Sequence, residues 1–236
     1  MRTRILFTGI LTLTAALIIL GCGGDDNGGG SNQIEPSFEP VEIPQGLQDA
    51  AGSDANAALA VAYVQLANSF SNYNMYFQPP SKSFAPTKPG ATDDTTTWSY
   101  EGTTIEYYSW AEGDNYYWEI YVTDNIYTHC KFIDYSESKS GTNGEYRLFT
   151  DCGETPAFLW NWQFNASDIF TVTMLSESDA IQVIVNPDGS GSVTNFYGGL
   201  NSQQQHVLSW NSDGSGNYTF YDTQGGVDDS GNWDAS

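Results

Sequence analysis

Over most of its C-terminal two-thirds the chain alternates apolar and polar residues with a period of two. "FLWNWQF" puts Phe158, Trp160, Trp162 and Phe164 on one face and Leu159, Asn161 and Gln163 on the other. "YYWEIYV" sets Tyr116, Trp118, Ile120 and Val122 against Tyr117, Glu119 and Tyr121. "EYRLF", "DIFTVTML" and "AIQVIV" follow the same pattern, in the β-branched and aromatic residues that fit a pleated surface. Turn clusters such as "AEGDN", "SKSGTNGE", "NPDGSG" and "NSDGSG" separate these runs. Short strands joined by tight turns predict a mostly β fold, an antiparallel meander or curved sheet of roughly nine or ten strands over about 98–233. One face of such a sheet is buried and the other is solvated or functional.

A second period appears once. Leu59, Tyr63, Leu66, Phe70, Tyr73 and Phe77 follow one another at helical steps, which predicts one amphipathic N-terminal helix over about 54–78. Ser53 or Asp54 can cap its start and Pro79-Pro80 stop it. Its aromatic stripe is the natural cover for the apolar face of the sheet, so 49–236 reads as a single β-rich domain. "PPSKSFAPTKPGATDDTTT" between helix and sheet is long for a connection in a compact domain, and reads as a surface crossing or a lid.

"NPDGSGSVTNFY" (186–197) recurs as "NSDGSGNYTFYD" (211–222), and "GEYRLFTDCG" echoes "GNYTFYDTQG". Two chemistries fit the repeated corner. As a calcium loop it would use oxygen ligands at positions 1, 3 and 5, a glycine at 6 and a carboxylate at 12, which gives Asp213 and Asp222 in the second copy. Each copy carries fewer carboxylates than such loops commonly have, and strands rather than helices flank it. As a hairpin turn it needs only Asn-x-Asp-Gly, with glycine in the left-handed conformation. The turn is the primary reading, with no cofactor; calcium at Asp213 and Asp222 is the alternative.

The N-terminus carries a different signal. Arg2 and Arg4 precede an uncharged apolar run, Ile5 to Leu20, which ends in "ILGC". At about 16 residues the run is short of the roughly 20 that span a bilayer, and small residues at its end suit cleavage. The segment resembles the lipobox of bacterial lipoproteins. That resemblance implies a signal peptide over 1–21, a diacylglyceryl group on Cys22, and anchoring in a membrane of the bacterial cell envelope. Gly23 after that cysteine resembles lipoproteins sorted to the outer membrane. Residues 22–48, rich in Gly, Pro, Asp and Glu, read as a flexible tether.

Charge narrows the partners. The whole chain has 29 acidic residues and a formal charge of −22. Without 1–21, five basic residues (Lys82, Lys88, Lys131, Lys139, Arg147) remain against the 29, a formal charge of −24. Such a surface repels nucleic acid, whose phosphates need Lys and Arg. Cys130 and Cys152, the two cysteines after Cys22, fit a disulfide in an oxidising compartment, which would stabilise by about 3 kcal/mol. The rival readings are free thiols or a zinc set with His129 and His206, which lacks close paired spacing.

The catalytic motifs H-E-x-x-H, G-x-S-x-G and the Walker loop are not present in the sequence. A glycosidase pair such as Glu106 with Glu119 is the enzymatic alternative, a glycan-processing one. Aromatic residues point to binding. Rings crowd both faces of the strands between Trp98 and Tyr135, more than one core face requires, and Trp98, Tyr108, Trp110, Tyr117 and Tyr121 are candidates for a ligand-binding surface. Exposed rings stack on sugar faces; a concave apolar face would instead take an apolar ligand. A one-helix, curved-sheet plan looks like the half-barrels of bacterial lipoprotein-carrier proteins. The expectation is therefore a lipid-anchored envelope protein with a non-enzymatic binding or structural role, its ligand a glycan or an apolar molecule. Cys22→Ser should abolish incorporation of labelled palmitate into the chain in cells; unchanged labelling would contradict the lipobox reading.

Overall fold

The computed structural model describes residues 40–69, 94–100, 102–150 and 152–235, all within one compact unit, Gln33–Ser236. The signal segment, Cys22 and most of the expected tether lie outside the described residues. Two helices come first, α1 (Gln45–Ala51) and α2 (Ala55–Ser69). Five strands follow: β1 (Asp94–Tyr100), β2 (Thr103–Glu112), β3 (Asn115–Thr123), β4 (Cys130–Ser138) and β5 (Asn143–Leu148). Then come β6 (Phe158–Phe164), β7 (Phe170–Ser176), β8 (Asp179–Val185) and β9 (Gly191–Tyr197). The last three are β10 (Gln203–Trp210), β11 (Gly216–Tyr221) and β12 (Val227–Trp233). Every strand pairs antiparallel with its sequence neighbours in one 12-stranded sheet of order β1 to β12. The sheet curves but stays open, with β1 and β12 at its two ends.

The expected mostly β meander is thus the fold, with twelve strands rather than nine or ten. Its two edge strands are polar, β1 "DTTTWSY" and β12 "VDDSGNW", without a clean apolar alternation. Lone charges and hydroxyls suit an edge, where an apolar strand would invite further pairing.

The turns fix the register. In 186–190 the Asn186 amide donates to the Ser190 carbonyl (2.8 Å) and the Gly189 amide to the Asn186 carbonyl (2.9 Å). Gly189 takes φ +85°. The turn at 211–215 repeats this, with Asn211 to Ser215 at 2.8 Å, Gly214 to Asn211 at 3.0 Å and Gly214 at φ +90°. A third copy closes β11 to β12, from the Asp222 amide to the Gly226 carbonyl (2.8 Å), with Gly225 at φ +83°.

One face of the sheet is the core. Trp118, Tyr135, Tyr146, Trp160 and Met174 are successive register partners across β3 to β7, each 3 % exposed or less. Val172, Val183, Val193 and Leu208 continue the same face to β10, all fully buried. Three indoles seat on glycines of neighbouring strands: Trp162 on Gly144, Trp210 on Gly191 and Trp233 on Gly216. Two of them also donate to a turn, Trp210 Nε1 to the Gly189 carbonyl (2.9 Å) and Trp233 Nε1 to the Gly214 carbonyl (2.8 Å).

Helix α2 lies over β8, β9 and β10. Asp54 caps it, its Oδ1 accepting from the amides of Asn56 (2.7 Å) and Ala57 (3.1 Å). Its deepest face is not the expected aromatic stripe. Ala57, Ala60, Val64 and Ala67 are buried, while Leu59, Tyr63 and Leu66 pack half-buried along one flank. Small side chains let the helix backbone approach the sheet closely; large ones would hold it away. Phe70, Tyr73 and Phe77, with the remainder of the expected 54–78 helix, lie outside the described residues.

The tether expectation also needs correction. Residues 40–48 belong to the folded unit: Leu47 in α1 is fully buried, and the Val41 backbone exchanges two hydrogen bonds with the Asn68 side chain (2.9 and 2.7 Å). A Cβ on Gly46 would meet the Asp213 carbonyl oxygen, and Pro44 lies 3.1 Å from the Cβ position of Gly189. The segment hidden in a Gly-Pro-acidic stretch is the seat for the two Asn-x-Asp-Gly turns.

Beneath α2 the core face carries a polar pair. Asn195 and His206 are register partners on β9 and β10, 9 % and 8 % exposed. The Tyr63 ring stands 5.5 Å from the imidazole, and Asn195 Nδ2 donates to Tyr63 Oη (3.4 Å). Burial lowers the His206 pKa to about 4.

Two outcomes follow from this packing. Gly214→Ala should lower the urea midpoint far more than Gly113→Ala: both have positive φ, a strain of about 1–2 kcal/mol for a side chain, but only Gly214 also faces the backbone of Gly46. Equal losses would refute the docking. For His206, the unfolded chain takes up a proton below its ordinary 6.5 while the fold resists until about 4. Its contribution is therefore complete above pH 6.5 and falls away as pH drops through 4, roughly 2–4 kcal/mol in all. Thermal melts between pH 7 and 4 should show that slope, and His206→Phe should flatten it.

Candidate functional site

The face opposite the core holds the aromatic candidates. On β2 and β3, residues 106, 108, 110, 117, 119 and 121 alternate with the buried Tyr107, Ser109, Trp118 and Ile120. Tyr108, Trp110, Tyr117 and Tyr121 therefore share this outer face. Trp98 does not: it pairs with Ile105 and packs half-buried against the core, so the alternation of β1 and β2 removes it from the expected set.

Trp110 and Tyr117 are register partners and stack, with ring centroids 5.2 Å apart and planes 13° from parallel. Tyr121 meets Tyr108 edge-on at 5.6 Å and stacks on His129 at 4.3 Å and 6°. His129 holds φ +48°, and the neighbouring Cys130 lies at disulfide geometry with Cys152, their Cα atoms 4.7 Å apart. The cystine clamps the β3–β4 loop where His129 must turn onto the tyrosine. No periodicity in the sequence ties His129 to Tyr121; the register of β3 with β4 places it on the ring.

Charges interleave with these rings. His129 Nδ1 lies 2.6 Å from Glu106 Oε2, and Tyr108 Oη donates to Glu106 at 3.4 Å. Lys131 pairs with Glu119, which also accepts from Tyr121 Oη (3.0 Å). Arg147 pairs with Glu145 and stands 3.6 Å from Asp134, which Lys131 approaches at 3.7 Å. Burial pushes the Asp134 carboxyl up, against the opposing pull of Lys131 and Arg147. Burial, with Glu119 beside it, likewise raises the Tyr121 hydroxyl. Glu106 and Glu119, the candidate glycosidase pair, share the outer face diagonally across β2 and β3. Each carboxylate is engaged by a basic residue and a tyrosine rather than facing an open cleft.

Beside the stacked pair runs an open groove of about 480 Å³. Side chains of Asn115, Ser136, Asn143, Glu145, Asn161 and Gln163 line it, over the backbone of Gly144 and its neighbours. It begins where the aromatics end: Asn115 Nδ2 donates to Tyr117 Oη (3.3 Å), and Ser136 is the register partner of Tyr117 on β4. Stacked on Trp110 from the β2 side, Tyr117 has its other ring face on the side of this groove. Asn161 and Gln163 were legible as the polar side of "FLWNWQF"; Asn115 and Asn143 sit beside turns, and nothing in the local pattern ties them to the aromatics.

The other sequence-level candidates are dispersed. Asp213 Oδ1 accepts from the Ser215 amide (3.0 Å) and hydroxyl (2.7 Å) within its own turn. These bonds, the hydroxyl's first, hold its carboxyl below the usual range. Asp222 Oδ1 accepts from the amides of Gln224 and Gly226, both at 2.8 Å, in the next turn. The two carboxylates lie at opposite ends of β11, some 20 Å apart at about 3.3 Å per residue, and cannot share one ion. His206 lies under α2 on β10, away from His129, from Cys130 at the start of β4 and from Cys152 between β5 and β6, so the zinc set is not assembled either. Among the described residues no group of three or more His, Cys, Asp or Glu is placed to hold a metal ion. No family model and no curated protein matches this chain.

Proposed function

We propose that the chain is a lipid-anchored, non-enzymatic binding protein of the bacterial envelope whose outer sheet face captures a glycan. The observation that carries this is the junction of the Trp110–Tyr117 stack with a groove lined by the amides of Asn115, Asn143, Asn161 and Gln163, the Ser136 hydroxyl and the Arg147-paired Glu145. A pyranose has apolar C–H faces and a rim of hydroxyls. An aromatic ring takes the first, and Asn, Gln and Ser side chains, each both donor and acceptor, take the second. The apolar-ligand reading has less support, because the core face that would hold such a ligand is already packed: Trp118, Val172, Val183 and Leu208 are fully buried. The glycosidase reading has less support too, since Glu106 is held against His129 and Glu119 is tied into an ion pair with Lys131.

Lipidation at Cys22 belongs to the same proposal. A lipid anchor holds the sheet close to the envelope, where glycan polymers are abundant, and the strongly negative surface keeps the domain from lying on anionic headgroups.

A glycan array probed with the purified chain should give selective binding. Trp110→Ala and Tyr117→Ala should each weaken it about tenfold or more, as for buried aromatic anchors. Tyr197→Ala, a 40 % exposed ring on another strand, should leave it unchanged. Binding that survives both substitutions would sink the assignment.

A further inference from the structure

The groove does not end at its lining. Asn161 is one rung of a row that continues across the sheet: it is the register partner of Thr173, which is buried between its neighbours, Thr173 of Gln182, and Gln182 of Thr194. In the other direction the row reaches Glu145, Ser136, Tyr117 and the stacked Trp110. We propose that a linear, uncharged glycan lies along this row, perpendicular to the strands, from the Tyr117 ring to Thr194. The inference rests on the glycan reading of the groove and gives its ligand a class and a length.

Three features converge on that occupant. The first is charge. The chain carries 29 acidic residues, yet on strands β6 to β11 the only ionisable side chains besides tyrosines are Asp179 and His206, both on the core-face parity. The outer face of these six strands therefore presents no Asp, Glu, Lys, Arg or His. A polyanion finds no cation there and meets a net charge of −22; the one carboxylate on the row, Glu145 on β5, is already paired with Arg147 and leaves a polycation no free anion. A neutral chain is what remains.

The second is the cross-section. On one side of the row run the half-buried Leu159 and Leu175 and then the buried Ala180 and Phe196, as register partners. On the other side lie Gln163, Thr171, Ile184 and Ser192, also partners in turn. The track is thus apolar along one margin and offers amides and hydroxyls along its middle and most of the other margin, which matches a sugar chain presenting C–H surface and hydroxyl rim together. A peptide strand would need the free backbone of a sheet edge, which this face does not offer.

The third is spacing. Neighbouring strands lie about 4.8 Å apart, comparable to the advance per residue of an extended pyranose chain, so successive rungs meet successive sugars. Seven strands from β3 to β9 span roughly 29 Å on that spacing, room for about six sugars.

The test is calorimetric titration of the full chain in detergent with a ladder of neutral gluco-oligosaccharides from disaccharide to octasaccharide, in β-1,4-, β-1,3- and α-1,4-linked series. Affinity in one series should climb with length and level off near the hexasaccharide. The double variant Gln182→Ala/Thr194→Ala, whose side chains are half-exposed and whose melting temperature should not move, should weaken hexasaccharide binding about tenfold, the loss of two hydrogen bonds. It should leave trisaccharide binding as it was. If trisaccharide and hexasaccharide bind equally, the track is wrong and the groove stands. If no oligosaccharide of any length binds, the groove reading falls and the track with it. Tighter binding of a carboxylated oligosaccharide of equal length would overturn the neutral-ligand assignment.

Discussion

Three indoles lying on three glycines hold this sheet to one shape. At Gly144, Gly191 and Gly216 the missing side chain leaves a flat patch of backbone, and a tryptophan from an adjacent strand fills it. Large aromatics are the best means of burying area quickly in a sheet covered, among the described residues, by two short helices. Each indole buries its own bulk in the core and seals the strand it covers. At Trp210 and Trp233 the ring nitrogen also secures the hairpin turn beside it, so core packing and turn geometry are one interaction. Those turns in turn seat Pro44 and Gly46 at the start of α1, and from there α2 is placed over β8 to β10.

With the core face closed this tightly, the other face is free to differ. Near β2 to β5 it concentrates the positive charge of the described strands, Lys131 and Arg147, against Glu119, Asp134 and Glu145. On β6 to β11 it carries amides, hydroxyls and uncharged apolar side chains, Phe196 among them. Confining the cations to β4 and β5 leaves the outer face of these six strands without Asp, Glu, Lys, Arg or His, an unusual condition in so acidic a chain. The division explains why aromatic side chains occur on both faces of β3: Trp118 belongs to the core, and Tyr117 and Tyr121 to the surface.

Much of this was legible in advance. Period-two alternation identified β3 and β5 to β8, and Asn-x-Asp-Gly marked two hairpins, joining β8 to β9 and β10 to β11, whose hydrogen bonds are as a turn requires. What escaped was non-local. Helix α1 is a seven-residue element in a polar, proline-flanked stretch, stabilised by its contact with two distant turns and not by any periodicity of its own. The helix face was misassigned because large residues dominate a hydrophobic pattern, whereas approach to a sheet favours the alanines at 57, 60 and 67. Trp98 fell on the wrong side because the face of an edge strand is set by its register with β2. Asp222, the residue a turn at 211–215 had no use for, proved to cap the turn that follows.

The strictly sequential strand order has a kinetic meaning as well. Each described strand pairs only with the one before and the one after it, so every ladder closes a short loop of chain. Sheets are usually slow to form because distant segments must meet before any reward is gained; a meander avoids that search, and its hairpins can zip one after another from wherever the first one forms. The exception is the span from α1 and α2 to β8–β11, which joins the beginning of the domain to its end. Folding should therefore reach cooperativity late, when the helices arrive on an already assembled sheet and bind its far strands into the whole.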